Sequence, residues 1–209
     1  MSNEINLKAK NTPQLWVFLS ANMLFLFGMF FPEYFLELTN NFNIFLILKI
    51  LGVSIAPLLL FLLNGLLPST VKAILVYWKL KYPLPGSRAF SKLSKKDHRV
   101  NRNKLKQTYG NLPTSPSHQN RLWYQIYRKN SSEVIVQNSH KAFLLARDLT
   151  SLSVLFLIFL GIPVLILGSC PLNVIYFFIL LLQYLIVCIN AQNRGIRFVT
   201  NVLALESSS

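Results

Sequence analysis

The chain has 209 residues, of which 53% are hydrophobic and 13% are charged, and its formal net charge is +14. Soluble globular domains normally carry about 25% charged residues, so this composition argues against one. Because the apolar residues are gathered into long uncharged blocks, the sequence predicts an all-α membrane protein. Its four transmembrane helices would form two hairpins that flank a small, basic, mainly helical cytoplasmic domain.

The first predicted hairpin lies in the N-terminal unit, residues 1–67. Residues 11–32 carry no charge, and residues 44–67 contain Lys49 as their single charged residue. We predict transmembrane helices at about 15–36 and 44–67. The first block is too long for a cleaved signal peptide, lacks a small-residue cleavage pattern and is followed at once by a second span. We therefore interpret it as a span that stays in the membrane.

The middle of the chain, residues 68–148, is strongly basic and is predicted to face the cytoplasm. Residues 72–148 contain sixteen Lys/Arg and three Asp/Glu, a net charge of +13, whereas the short turn within each hairpin contains no Lys or Arg. Basic residues near the ends of membrane helices are retained on the cytoplasmic side during insertion. Both termini are therefore expected in the cytoplasm as well.

Residues 68–81 have the pattern of an amphipathic helix. Pro68 and Ser69 are typical helix-opening residues. The spacing i, i+3, i+4, i+7 places four apolar side chains on one face, namely Val71, Ile74, Leu75 and Trp78. Lys72 and Lys79 lie off that face. We expect this helix either to lie on the inner leaflet or to pack on the cytoplasmic domain.

Residues 88–106 form the densest run of positive charge, and we expect an irregular segment or a short exposed helix there. Three anionic partners fit such a run. Membrane lipid gains about 1 kcal/mol per Lys or Arg near its surface, nucleic acid offers phosphates to neutralise, and an acidic protein is the third. The candidate contact residues are Arg88, Lys92, Lys95, Lys96, Arg99, Arg102, Lys104 and Lys106.

Residues 116–129 are predicted to form a helix that is opened by Pro116 after Ser115. Helical spacing places the aromatic residues Trp123, Tyr124 and Tyr127 on one face. They either pack into the core of the cytoplasmic domain or form a surface on which nucleobases or another partner stack, because Arg and Lys neighbours flank them.

Residues 131–153 are predicted to begin a long helix, with Ser131 as the N-cap and Glu133 in the first turn. Pro and Gly are absent from here until Gly161, so the helix should enter the third span without a break. We hypothesise that this continuity transmits an event in the cytoplasmic domain to the bilayer. A hinge near Asp148 would uncouple the two.

The second predicted hairpin comprises residues 149–190. No residue from Leu149 to Asn193 is charged, and the sequence GSCPLN separates segments 149–167 and 172–190. At about 1.5 Å per residue each segment spans roughly 28 Å, close to the ~30 Å hydrocarbon core. Residues 191–209 are then predicted to be a cytoplasmic tail.

Two polar residues within the predicted spans are candidate intramembrane contacts. Lys49 lies near the outer end of its helix, where it either snorkels to the headgroups or marks an ion site. Gln183 lies near mid-bilayer, where its side chain needs a hydrogen-bonding partner from the same chain or from a second copy. The sequence leaves both a monomer and a homo-oligomer open.

The chain contains none of the short motifs that mark nucleotide sites or nucleophilic catalysis. It has no GxGxxG, Walker-type loop or GxSxG elbow, and His98, His118 and His140 are far apart in the sequence. Cys170 and Cys188 lack CxxC spacing and are predicted to lie too far apart for a disulfide. We therefore predict a non-enzymatic protein with no catalytic residue, cofactor or metal.

Three stretches of the middle region carry a resemblance to known proteins: KLKYPLPGSRAFSK (79–92), HQNRLWYQIYRK (118–129) and HKAFLLARDL (140–149). They resemble small bacterial inner-membrane proteins and, in particular, the transmembrane effectors of retron anti-phage systems. The resemblance covers about a sixth of the chain and brings no catalytic motif. It implies a multi-pass protein of the bacterial inner membrane whose partners are a reverse transcriptase and its DNA–RNA product.

The function implied by this resemblance is abortive infection. In that family the polymerase and its product guard a host function and keep the effector silent, and a phage that disturbs this function releases the effector, which damages the inner membrane. The residues alone leave two alternatives. One is a constitutive inner-membrane anchor or assembly factor whose basic domain docks nucleic acid, anionic lipid or an acidic protein. The other is a membrane-embedded enzyme or transporter component.

Overall fold

The computed structural model describes Leu7, residues 9–30 and residues 58–208, and every regular element in these ranges is helical. Three short helical turns, Pro85–Arg88, Ala89–Leu93 and Ser94–Lys96, follow the third helix. The predicted all-α fold is therefore confirmed for these residues. The numbered helices, in chain order, are α1 (Thr12–Phe30), α2 (Leu58–Leu66), α3 (Ser69–Tyr77), α4 (Arg102–Tyr109), α5 (Pro116–Lys129), α6 (Val134–Phe156), α7 (Ile162–Leu167) and α8 (Leu172–Ser208).

Three stretches of the described ranges are long and apolar enough to cross a bilayer: Thr12–Phe30, Val134–Leu167 and Leu172–Ser208. A fourth is counted if α2 and α3, which are bent by 97° relative to each other, form one broken span. The bend falls at Pro68, because proline disfavours the helical conformation of the residue before it. By length and composition these helices could therefore cross a membrane three or four times, which is consistent with a multi-pass membrane protein. Residues 31–57, which include Lys49 and the first part of the second predicted span, lie outside the described residues.

The buried apolar side chains form two separate clusters. One cluster lies among α1, α2, α6 and α8 and includes Leu19 and Tyr176. The other includes Phe90 and Phe198 and lies among α3, the short turns, α4, α5, α6 and α8. We call the part around the first cluster the apolar half (residues 12–30, 58–67 and 149–190) and the part around the second the basic lobe (residues 68–148 and 191–208).

One continuous helical rod joins the basic lobe to the apolar half. α6 begins at Val134, with Glu133 rather than Ser131 at its N-cap, and runs past Asp148 without a hinge, as predicted. The next five residues, Leu157–Gly161, form a π-helical turn that leads into α7. We attribute this turn to Pro163, because proline has no N–H to donate and its ring would clash with a carbonyl in the preceding turn of a regular α-helix.

A second helix joins the same two parts. α8 is a single helix of 37 residues, and the segment after residue 190 buries Phe198, Val202 and other apolar side chains in the core of the basic lobe. The sequence predicted a separate tail at 191–209, whereas residues 191–208 close the lobe. Gly195 permits this packing, because a Cβ at that position would collide with the Tyr77 hydroxyl.

α3 packs on the basic lobe through a face that its sequence pattern did not indicate. The helix ends at Tyr77, because Trp78 adopts a left-handed conformation with φ 52° and ψ 36°. Lys72 was expected to lie off the packed face but is buried together with Ala73 and Val76. The predicted apolar face, which includes Val71 and Trp78, is instead exposed or half-buried.

Candidate functional site

The basic run, residues 88–106, is fixed to the lobe by buried side chains and backbone hydrogen bonds. Phe90 and Leu105 are each 1% exposed. Gln119 of α5 uses its Oε1 to accept hydrogen bonds from the backbone N–H groups of Phe90 at 3.1 Å and Ser91 at 2.9 Å. Much of the run is helical rather than irregular, since it contains short turns and α4. The cations are therefore displayed on a defined surface.

All eight predicted contact residues reach the surface of the lobe at least in part. Arg99 forms an ion pair with Asp97 at 2.8 Å, and the other seven form no ion pair with a described residue. The exposed members are Lys92, Lys95, Lys96, Arg99 and Lys106, and the half-buried members are Arg88, Arg102 and Lys104.

The pKa of nearby Lys79 reflects the high density of positive charge on this surface of the lobe. It is lowered, first by the positive charge of Arg88, then by burial and by the charge of Lys92. In contrast, the hydrogen bond from Arg99 holds the pKa of the Asp97 carboxyl well below its usual range. The surface around Arg88 and Lys92 thus presents uncompensated positive charge, while Asp97 and Arg99 neutralise each other.

A groove of about 570 Å³ continues this charge onto α8. We call it the basic groove and define it by Lys92, Lys96, Arg99 and Arg197, which line it together with Asp97. Arg197 was missed by the sequence interpretation, which assigned it to a tail. The helical spacing of the apolar residues that follow it was the signal that would have placed it on the lobe. Four cations beside one carboxylate suit a phosphate-rich or acidic partner.

The predicted stacking face contains two buried residues and one exposed residue. Trp123 and Tyr127 are each 8% exposed, and both pack edge to face on Phe198 with ring centroids 5.3 Å apart. Tyr124 is 47% exposed. Core packing therefore accounts for Trp123 and Tyr127, and Tyr124 is the member of this face that a partner can reach.

A buried polar cluster separates the two apolar clusters. Asp148 Oδ1 accepts from Lys72 Nζ at 2.9 Å and from Arg147 Nη2 at 3.3 Å, and all three side chains are at most 11% exposed. One turn further along α6, the Ser151 hydroxyl donates to Asn64 Oδ1 of α2. We call these five residues the polar junction. Because a buried charge without its partner is costly, the junction fixes α2 and α3 against α6.

A second buried carboxylate connects the C-terminal end of α8 to α4 and α5. Glu206 is 6% exposed and accepts hydrogen bonds from Tyr109 at 2.6 Å, Lys129 at 2.7 Å and Asn130 at 2.6 Å. Burial opposes its ionisation, but the three donors outweigh burial and lower the pKa of Glu206. Burial and then the hydrogen bond to Glu206 raise the pKa of Tyr109 to about 12. These contacts close the lobe.

The other candidates form no site in the described ranges. Gln183 was predicted to hydrogen-bond to another helix, yet its Nε2 is buried and has no hydrogen-bond partner among the described residues. Cys170 is exposed and Cys188 is buried, and both are free thiols. Within residues 9–30 and 58–208, no three or more His, Cys, Asp or Glu side chains are grouped as metal ligands would be.

The chain matches no protein-family model, and it has no significant match among curated proteins or solved structures. The features of the molecule that bear on its function are the basic groove, the polar junction and the two helices that join the lobe to the apolar half.

Proposed function

We propose that the chain is a multi-pass effector that permeabilises the bacterial inner membrane when its basic lobe is triggered. In this proposal the lobe and both termini lie in the cytoplasm, as the retention of positive charge predicts. The basic groove binds an anionic partner that keeps the protein silent, and the protein acts without an enzymatic step. The anti-phage role, with a reverse transcriptase and its DNA–RNA product as the partner, is supported by the resemblance of residues 79–92, 118–129 and 140–149 to retron effectors.

The observation on which this proposal rests is the continuity of the helices between the lobe and the apolar half. α6 and α8 both extend from the core of the lobe into the apolar half, and neither contains a loop at the boundary. A partner in the basic groove would contact α8 directly through Arg197. Displacement at the groove would then move the membrane segments, because packed helices shift as rigid bodies.

The π turn gives α6 a point at which this movement can be accommodated. Leu157–Gly161 lies between α6 and α7 within the apolar half. π turns are frequent at functional positions, because the helix changes register there without losing its backbone hydrogen bonds. The proposed trigger therefore rearranges the apolar half at this turn while the lobe stays folded.

Expression of the full chain from a tight inducible promoter in bacteria tests the proposal. We expect rapid depolarisation and uptake of a membrane-impermeant dye, because the silencing partner is absent. Normal growth with complete membrane insertion would contradict the proposal and favour the constitutive anchor.

The partner is tested with two variants that remove the same charge. Lys92, Lys96, Arg99 and Arg197 are replaced by Gln in one, and the exposed Lys95, Lys106, Arg121 and Arg128 are replaced by Gln in the matched control. Binding of a DNA–RNA hybrid to the detergent-solubilised chain should weaken as salt rises. A plot of the logarithm of the binding constant against the logarithm of the salt concentration should have a slope of about −0.7 to −0.9 per phosphate neutralised. We expect the groove variant to have a less negative slope than the control variant, because fewer phosphates are neutralised. Equal losses would mean that binding is spread over the lobe rather than located in the groove.

A further inference from the structure

A cavity of about 650 Å³ lies in the basic lobe beside the polar junction. Its size falls within the roughly 300–1,000 Å³ range of small-molecule sites. Residues of α3, the loop after it, α5, α6 and α8 line the cavity, and most of the wall is aromatic or apolar, as at Tyr82, Trp123 and Leu144. Asn120 and Arg147 add polar groups to the same wall.

Arg147 brings unused hydrogen-bond donors to this cavity. The residue is 6% exposed. Its Nε and Nη2 lie 3.4 and 3.3 Å from the same Asp148 oxygen, which Lys72 approaches more closely at 2.9 Å. A guanidinium group has five N–H donors, so donors remain that no described residue accepts. A buried Arg in this state favours a ligand with anionic oxygen atoms.

Two further polar atoms in the wall lack partners. Trp123 Nε1 and Asn120 Oδ1 are buried, and neither has a hydrogen-bond partner. Unpaired buried polar groups are costly. Both residues line the cavity, and a small rotation of each side chain toward it would let the phosphate and hydroxyl groups of a ligand pair with these two atoms. The wall therefore combines donors for an anion with an acceptor for a hydroxyl group.

The mouth of the cavity has the character of a membrane interface. The mouth is lined by Leu80, Tyr82 and Leu84, which are 83%, 54% and 40% exposed. Lys79 and Lys81, which flank Leu80 in the sequence, are also exposed. Exposed apolar side chains alternating with Lys are typical of segments that insert into the headgroup layer. The loop also follows α3, which begins where the chain leaves the apolar half.

We propose that this cavity binds the headgroup of an anionic phospholipid. The phosphate accepts hydrogen bonds from Arg147 and Trp123, the headgroup hydroxyl groups reach Asn120, and the acyl chains leave past Leu80 and Tyr82 into the bilayer. The proposal is independent of the effector activity, because a constitutive anchor would use the same lipid.

The test measures phospholipid retained by the purified full chain after exchange into an uncharged detergent, using native mass spectrometry. We expect phosphatidylglycerol to be retained about tenfold more than phosphatidylcholine, and Arg147→Gln to lower its retention about tenfold, which corresponds to one charge-assisted hydrogen bond. Ser117→Trp changes an exposed rim residue and should block the cavity without disturbing the polar junction. Arg121→Gln, on an exposed part of α5 outside the cavity, is the matched control and should retain lipid normally.

Three results would overturn the proposal. The first is equal retention of the two lipids, and the second is unchanged retention in Ser117→Trp. The third is displacement of phosphatidylglycerol by millimolar inorganic phosphate, which would identify a site for free phosphate instead of lipid. An unchanged melting temperature in Ser117→Trp separates loss of binding from loss of folding.

Discussion

Replacement of Asp148 by Asn should strongly destabilise the protein. The Asp148 side chain is 11% exposed, and those of Lys72 and Arg147 are 7% and 8% exposed. The variant leaves two cations buried beside a neutral amide. Breaking a buried ion pair costs about 3–5 kcal/mol, and we expect the lower end because the amide oxygen still accepts a hydrogen bond. For a chain of this size about 3 kcal/mol corresponds to a fall in melting temperature of roughly 6–12 °C.

A buried thiol provides the assay for this prediction. In a Cys170→Ser background Cys188 is the single cysteine, and it is fully buried, so a thiol-reactive dye reports unfolding of the full chain in detergent. Lys72→Met combined with Asp148→Asn should recover part of the loss, because it removes one of the uncompensated charges. Glu133→Gln, an exposed acid at the start of α6, serves as the control. A melting temperature of Asp148→Asn within about 2 °C of the wild type would refute the buried-charge argument.

Glu206→Gln should lower the free energy of unfolding by about 1–3 kcal/mol, because a buried charge-assisted cluster is lost; the exposed Lys129 contributes little to this. Because folding lowers the pKa of Glu206 below its ordinary value of 4.5, the ionised carboxylate stabilises the wild type above that pH. Denaturant titrations should therefore show that wild-type stability falls as the pH drops below 4.5. The same pH dependence in Glu206→Gln would contradict the assignment. Gly195→Ala should cost about 1–3 kcal/mol in a thermal melt, because its Cβ overlaps the Tyr77 hydroxyl. Tyr77→Phe should recover part of that loss, and Gly28→Ala, where a Cβ meets nothing within 4 Å, should not destabilise; equal melts for the two alanine variants would show that the contact with α3 is loose.

Local sequence signals predicted the helices that have clear start signals and an uninterrupted pattern. Pro116 after Ser115 marked the start of α5, which runs to Lys129 as predicted. The absence of Pro and Gly after residue 131 predicted that α6 passes Asp148 unbroken. The start of α5 and the continuity of α6 depend only on residues close together in the chain, so both can be predicted from the sequence.

Features that depend on distant contacts escaped the sequence interpretation. Lys72 can be buried because it forms an ion pair with Asp148, which lies 76 positions away in the chain. Helical periodicity within one segment gives no information about such a distant pair. Residues 191–209 were predicted to be a tail because they follow the uncharged segment of the fourth predicted span. Glu206 is in fact an internal acceptor for three donors. A carboxylate can be buried at low cost only when the fold supplies such donors, and only the tertiary structure reveals them.

The length of α8 has a mechanical consequence. At about 1.5 Å per residue, its 37 residues extend for roughly 55 Å, some 25 Å more than the hydrocarbon thickness. If a rigid helix of this length pivots near its midpoint, its two ends move in opposite directions. A tilt of about 10° would carry each end sideways by roughly 5 Å. That distance is comparable to the width of a side chain, so a bilayer-spanning α8 would convert a small displacement at one membrane surface into a similar displacement at the other.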